Sequence, residues 1–155
     1  MASLLEEFIG IVNSLNERRI DYAVCGGWAM AIHGFLRATT DIDIMVLAED
    51  FEAARQAAIE NGFDIDGLPL DFDGGETQIR RISKIDEATK TLITLDLIIA
   101  TEIYETAWRG RRLVKWKNGE YRVVDRPGMI IMKERAGRPK DLIDLNYLHG
   151  EKDGD

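Results

Sequence analysis

The sequence predicts an α+β fold: a mixed β-sheet with helices packed on one face. Three observations predict it. Strand-like apolar runs alternate with segments of helical spacing, the pattern of strands joined through helices. A late stretch, "RRLVKWKNGEYRVVD", alternates around Asn118 and Gly119 as a β-hairpin does, which adds antiparallel pairing. Two of the strand-like runs are apolar on one side and carry carboxylates on the other, so each offers one face for helices to cover.

The elements follow in order. Ser3 and Glu6 form a capping box ahead of Leu4, Leu5, Phe8, Ile9, Val12 and Leu15, whose three-and-four spacing makes one apolar helical stripe. "DYAVC" reads as a strand, Gly26 and Gly27 as a sharp turn, and "WAMAIH" as a short helix closed by Gly34. "DIDIMVL" is the second strand, and "EDFEAARQAAIENG" a helix with acids in its first turn and glycine at its end. Residues 63–76, rich in aspartate and glycine, are expected to be loop. "TQIRRISKI" and "TLITLDLIIA" are strands joined by the polar turn "DEATK", and the helix "TEIYETAW" leads into the hairpin. Two helices end the chain, each with a proline at its start, Pro127 and Pro139.

At 155 residues, 45% apolar and 31% charged, the chain has the size and composition of one globular domain, expected over residues 1–150 with a disordered tail at 151–155. No apolar run approaches the roughly 20 residues that cross a bilayer. "MASLLEEF" carries acids where an export signal carries bases. With Cys25 the single cysteine, the reading is of a protein of the reducing cytoplasm with no membrane partner. A net charge of −8 argues against nonspecific binding to nucleic acid, and two histidines, His33 and His149, offer few ligands for zinc.

Chemistry concentrates in the acid strands. Asp41, Asp43 and Met45 point to one side, Ile42, Ile44 and Val46 to the other. In "TLITLDLII" the set Ile93, Leu95, Leu97 and Ile99 is apolar, and Asp96 lies with Thr94 on the opposite face. If the two strands are neighbours, three aspartates converge. Bare carboxylates held together repel, which drives a pKa upward; a divalent cation removes the conflict. Hard oxygen ligands without thiolate or imidazole select Mg²⁺ or Mn²⁺, which complete their shells with water and nucleotide phosphates. A single aspartate at a strand end is ordinarily a cap or a solvated edge; the paired and repeated pattern argues for metal. The Gly26–Gly27 turn, between strand and helix, exposes amides suited to phosphate, although it is neither a Walker loop nor a dinucleotide fingerprint.

The order Gly26-Gly27, thirteen residues, Asp41-Ile42-Asp43, and a later Asp96 resembles the polymerase-beta-type nucleotidyltransferase superfamily. The spacing Lys133, four residues, Arg138, then Lys140-Asp141 and Asp144 resembles the small abortive-infection (AbiEii-like) toxin nucleotidyltransferases, as does the "LRATTDID" approach to the acid pair. The resemblance implies a nucleotidyltransferase fold and transfer of NMP from an NTP to an acceptor hydroxyl or phosphate, with release of pyrophosphate. It implies Asp41, Asp43 and Asp96 as metal ligands, Asp96 also as the group that helps deprotonate the acceptor, Lys133 and Asp141 as further catalytic residues, and Gly26, Gly27, Arg37, Thr39, Arg138 and Lys140 as nucleotide-binding residues. A triphosphate brings about four negative charges, so cations beside the aspartates are wanted on physical grounds too. Lys140 and Asp144, four apart on one helix, are equally readable as a surface ion pair. The implied acceptor is a small molecule, a tRNA or a protein, and the implied setting a toxin–antitoxin or phage-defence system with an antitoxin partner. The alternative is a catalytically idle module that senses nucleotide or binds a partner on the same fold.

Residues 108–117, "WRGRRLVKWK", interleave five bases with two tryptophans, a combination that serves single-stranded nucleic acid or an ordinary charged hairpin. Met129 to Met132 read as core, His33 as a helix-end residue and Cys25 as a small buried hydrophobe.

Overall fold

Ser3 does cap the first helix: its side chain accepts the backbone N–H of Glu6 at 3.1 Å. In the computed structural model, which describes residues 3–35 and 41–154, helix α1 (Leu4–Glu17) buries Phe8, Ile11, Val12 and Leu15 on one stripe. Strand β1 (Ala23–Cys25) runs straight into α2 (Gly26–Ile32), and β2 (Asp41–Val46) into α3 (Phe51–Glu60) through a 3-10 turn at Ala48–Asp50. Residues 63–76 are not plain loop. They hold two short strands, β3 (Ile65–Asp66) and β4 (Leu70–Phe72), which pair antiparallel with the two halves of β5 (Thr77–Asp86). The unsatisfied edge of a long hairpin strand recruits them, and two- and three-residue strands leave no periodicity to read.

β5 returns as β6 (Thr91–Ile99), and α4 (Glu105–Arg109) follows a 3-10 turn at Glu102–Tyr104. The hairpin β7 (Arg112–Trp116) and β8 (Gly119–Val123) turns one residue earlier than Asn118–Gly119: Trp116 pairs with Gly119, and Lys117 and Asn118, at φ 44° and 64°, are the two central residues of the turn. Gly119 serves another purpose, since a Cβ there would meet the Tyr121 hydroxyl at 2.6 Å. Helices α5 (Arg126–Ala136) and α6 (Pro139–Gly154) complete the chain; Asp125 caps α5 through the Gly128 N–H, and α6 continues into the stretch read as tail.

The sheet is mixed, in the order β3-β5-β6-β2-β1-β8-β7, with β4 also on β5. β2 is parallel to β6 and β1 to β8, while β1–β2, β5–β6 and β7–β8 are antiparallel. Registers Ile42↔Leu95, Ile44↔Leu97 and Ile82↔Leu95 put these five side chains on one face, all buried. On that face, α1 and the end of α3 are tied down by Lys84, whose ammonium reaches Glu7 and the Asn61 carbonyl, both at 2.8 Å.

Phe8 stacks on Trp28 with centroids 4.6 Å apart, and Trp116 meets both rings edge-on. Trp108 carries the Arg111 guanidinium 3.8 Å from its ring centroid. The two tryptophans of residues 108–117 are thus occupied within the fold, which favours the hairpin reading over a stacking platform. Among the described residues, no helix is long and apolar enough to cross a membrane.

Candidate active site

The other face of the same strands carries the acids. In the parallel register of β2 and β6, Asp43 stands directly beside Asp96, and Asp41 beside Thr94. On the other side of Asp43, Cys25 is its partner on β1, the last residue before the glycine turn. The juxtaposition requires glycine at position 26: the residue sits at φ +62°, and a Cβ there would collide with Asp43 Oδ2. Gly-Gly is therefore not just a turn signal, because the acid strand packs its carboxylate against the bare Cα.

Burial, then the nearby Asp96 and Asp41 carboxylates, push the Asp43 pKa up to about 7, while Lys133 and Lys140 act the other way. Asp96 is held differently. Arg81, its cross-strand partner on β5, donates from Nε to Oδ1 at 2.8 Å and from Nη2 to Oδ2 at 3.0 Å, a two-pronged grip on a buried carboxylate. Nothing in the sequence announces Arg81. "RRIS" offers two arginines on opposite faces, and only the β5–β6 register says which of them meets Asp96.

From above this face, α5 and α6 bring a second set of charges. Lys133, 7% exposed, lies 2.8 Å from Asp144 and 3.6 Å from Asp141, both fully buried. Asp141 also accepts from Arg138, at 2.7 Å and 3.2 Å from the guanidinium and 3.1 Å from the backbone N–H, the reach of an N3 carboxylate back to the helix cap. Burial opposes the Asp141 charge, but the Arg138 hydrogen bonds and the Lys133 ammonium outweigh it and hold the pKa below the usual carboxylate value. The pairing read from sequence between Lys140 and Asp144 gives way to Lys133–Asp144, a contact between helices that spacing on one helix cannot foresee. Lys140 itself is exposed.

A cavity of about 530 Å³ joins these groups: Gly26, Asp43, Asp96, Lys133, Arg138 and Asp141 all line it, and so does Arg81. Much of its remaining wall is apolar, with Leu70, Phe72, Tyr104 and Met132 prominent, and Asp73, Thr77 and Arg135 add polar groups. Leu70 and Phe72 come from the segment expected to be loop. Asp41 stands two residues from Asp43 on the same strand face, and Gly27 follows Gly26 in the first turn of α2. Arg37 and Thr39 lie outside the described residues. His33 bonds the Val124 carbonyl through Nε2 at 2.8 Å, and Cys25 is buried.

The donor set, carboxylates only, suits a hard divalent cation, and an Asp43 strained by burial and two like charges is a group that such a cation would relieve. Among the described residues no group of three acids, histidines or cysteines is already closed around one point. Both oxygens of Asp96 are instead given to Arg81.

No protein-family model and no curated protein sequence matches the chain. Solved structures do match along nearly its whole length. It is similar to a nucleotidyltransferase-described protein of Thermotoga maritima, with 15% identity, TM-score 0.63, 95% of this chain and 92% of that chain covered. It is similar to ANT(2'')-Ia, seen in complex with adenylyl-2''-tobramycin, with 16% identity, TM-score 0.63, 90% and 83% covered. The lincosamide antibiotic adenylyltransferase LnuA, bound to lincomycin, matches at 12% identity and TM-score 0.61 over 93% and 95%. The chain has the nucleotidyltransferase fold.

Proposed function

We propose that the protein is a Mg²⁺- or Mn²⁺-dependent nucleotidyltransferase that moves NMP from an NTP to an acceptor hydroxyl or phosphate and releases pyrophosphate. The observation that carries this reading is the pairing of Asp43 with Asp96 on one face, against a left-handed Gly26 and under the Lys133–Arg138 cluster. Asp41, Asp43 and Asp96 would hold the cation, which when bound supplies charge neutralisation and activation at the reacting phosphate.

The chain's own residues do the rest. Asp96 takes the acceptor proton as the acceptor oxygen bonds to the α-phosphorus, and the bond to the pyrophosphate bridging oxygen breaks. The amides of Gly26 and Gly27 seat the outer phosphates. Lys133, Arg138 and Lys140 balance their charge, and Asp141 holds Lys133 and Arg138 in place. Arg37 and Thr39 complete the nucleotide site on the sequence resemblance.

LnuA is named a lincosamide antibiotic adenylyltransferase and ANT(2'')-Ia is seen with adenylyl-2''-tobramycin, which supports ATP as donor and a small-molecule acceptor in the half-apolar cavity. A toxin with an antitoxin partner rests on the resemblance carried by the spacing from Lys133 to Asp144, a cytoplasmic setting on the single Cys25, and a tRNA or protein is the alternative acceptor. A second reading, an idle nucleotide sensor, is favoured by one observation, the hold of Arg81 on Asp96.

The test is incubation with each labelled NTP, Mg²⁺ and a cell extract. Pyrophosphate release with label on an acceptor is expected for the wild type, and a loss of at least about 100-fold in Asp43→Asn. Thermal stabilisation by Mg-NTP without pyrophosphate release would replace the transferase with the sensor.

A further inference from the structure

Each cation of the cavity already has a carboxylate partner, and the partners differ in kind. Lys133 is tied to Asp141 and Asp144, and Arg138 to Asp141. Those two acids are fully buried between α5 and α6 and do not belong to the metal set. Arg135 is tied to Asp73 and Glu76 on the rim. Among the described residues lining the cavity, Arg81 is the cation whose partner, Asp96, is one of the acids that the metal would take.

The two halves of that pair are unequally fixed. The Asp96 side chain is 9% exposed and set in the middle of β6, flanked by β2 and β5; the Arg81 side chain is 45% exposed and reaches it from β5. A divalent ion on Asp96 would place two like charges within hydrogen-bond reach of each other, so the guanidinium is the group that moves. Its surroundings leave a short way to go, since it lines the cavity beside Asp43, Lys133 and Arg138. A planar fork of N–H donors released there matches the oxygens of a phosphate as well as it matched a carboxylate.

We infer that Arg81 exchanges partners: it neutralises Asp96 in the empty protein, and when a divalent cation takes Asp96 it binds the polyphosphate of the incoming nucleotide. This makes Arg81 a nucleotide-binding residue of the site, and it couples cation and polyphosphate binding, because each makes the other's place. The inference rests on the nucleotidyltransferase reading of the site.

Two binding measurements without turnover test it. Mn²⁺ affinity in the absence of nucleotide, read by titration calorimetry or electron paramagnetic resonance, should tighten by about tenfold or more in Arg81→Gln, because the competing charge is gone. Binding of Mg-pyrophosphate should weaken by about tenfold or more in the same variant. Unchanged Mn²⁺ affinity would show that Arg81 and the cation do not compete, and unchanged pyrophosphate affinity that the released guanidinium has no phosphate partner; either overturns the exchange. Arg81→Lys, which keeps the charge and loses the fork, guards against misfolding of the glutamine variant. It should tighten Mn²⁺ binding by about threefold and retain more pyrophosphate binding than glutamine does, and wild-type values on both would again overturn the exchange. Failure of the wild type to bind Mn²⁺ or Mg-NTP at all would instead sink the transferase reading beneath it.

Discussion

The two faces of β2, β5 and β6 are built from alternate residues of the same strands, yet they are stabilised in opposite ways. On one, Ile42, Ile44, Ile82, Leu95 and Leu97 are sealed, and its two cations on β5 are answered, Lys84 by Glu7 and a carbonyl and Arg80 by Asp71. On the other, Asp43, Asp96 and Arg81 share the sheet surface, and Lys133, Arg138, Asp141 and Asp144 lie above it. The first face is held by area removed from water, a nondirectional term that is indifferent to pH. The second is held by paired charges, each of which is costly once its partner is removed. The difference teaches where the protein accepts strain: an Asp43 pushed to a pKa of about 7 sits opposite some of the best-packed residues of the core.

That contrast can be broken first at Lys133. Replacing it by alanine leaves the fully buried Asp141 and Asp144 without their shared ammonium, and the expected loss is about 3–5 kcal/mol in chemical denaturation at neutral pH. The loss should shrink in acid as Asp141, which Lys133 and Arg138 hold ionised, protonates; a loss independent of pH would mean that Lys133 contributes mainly as packing.

Leu97→Ala on the apolar face comes next, with an expected cost of about 3 kcal/mol that stays constant from pH 5 to 8, as transfer and cavity terms do not titrate. The same urea titrations at both pH values check it, and a strong pH dependence would erase the distinction between the faces.

The smallest effect has the opposite sign. A carboxyl whose pKa is raised by folding binds its proton more tightly in the folded chain, so wild-type stability falls as pH rises from the unfolded value of 3.8 towards about 7. Asp43→Asn removes the penalty and should gain on the order of 1–2 kcal/mol at pH 8, fading towards pH 4. The gain in stability should accompany the loss of nucleotide transfer. An asparagine variant no more stable than wild type at pH 8 would place Asp43 in a well-solvated or already compensated position.

Much of this was legible beforehand because it depends on local period and local chemistry. Alternation along "DIDIMV" and "TLITLDLII" assigned Asp43 and Asp96 to the polar face, and the parallel register then set them side by side. Ser3 and Pro139 began helices where capping and a preset φ say they should. Other features had no local signature. β3 and β4 are too short to show a period and exist because β5 has an edge to fill. Trp116, readable from the sequence either as a stacking residue or as part of an ordinary hairpin, is packed against Phe8, Trp28 and Tyr121. Asp144, four residues from Lys140, pairs with Lys133 on another helix.

From the sequence alone come the mixed α+β class, the acid-bearing face and the need for small residues at the turn, since each follows from side-chain direction and backbone conformation over a few neighbouring residues. The tertiary structure decided the partners: that Gly26 must clear Asp43, that Arg81 grips Asp96, and that Lys133 bridges α5 and α6. Those are contacts between distant segments, and ion-pair energies depend on distances and burial that only the assembled sheet and its covering helices define.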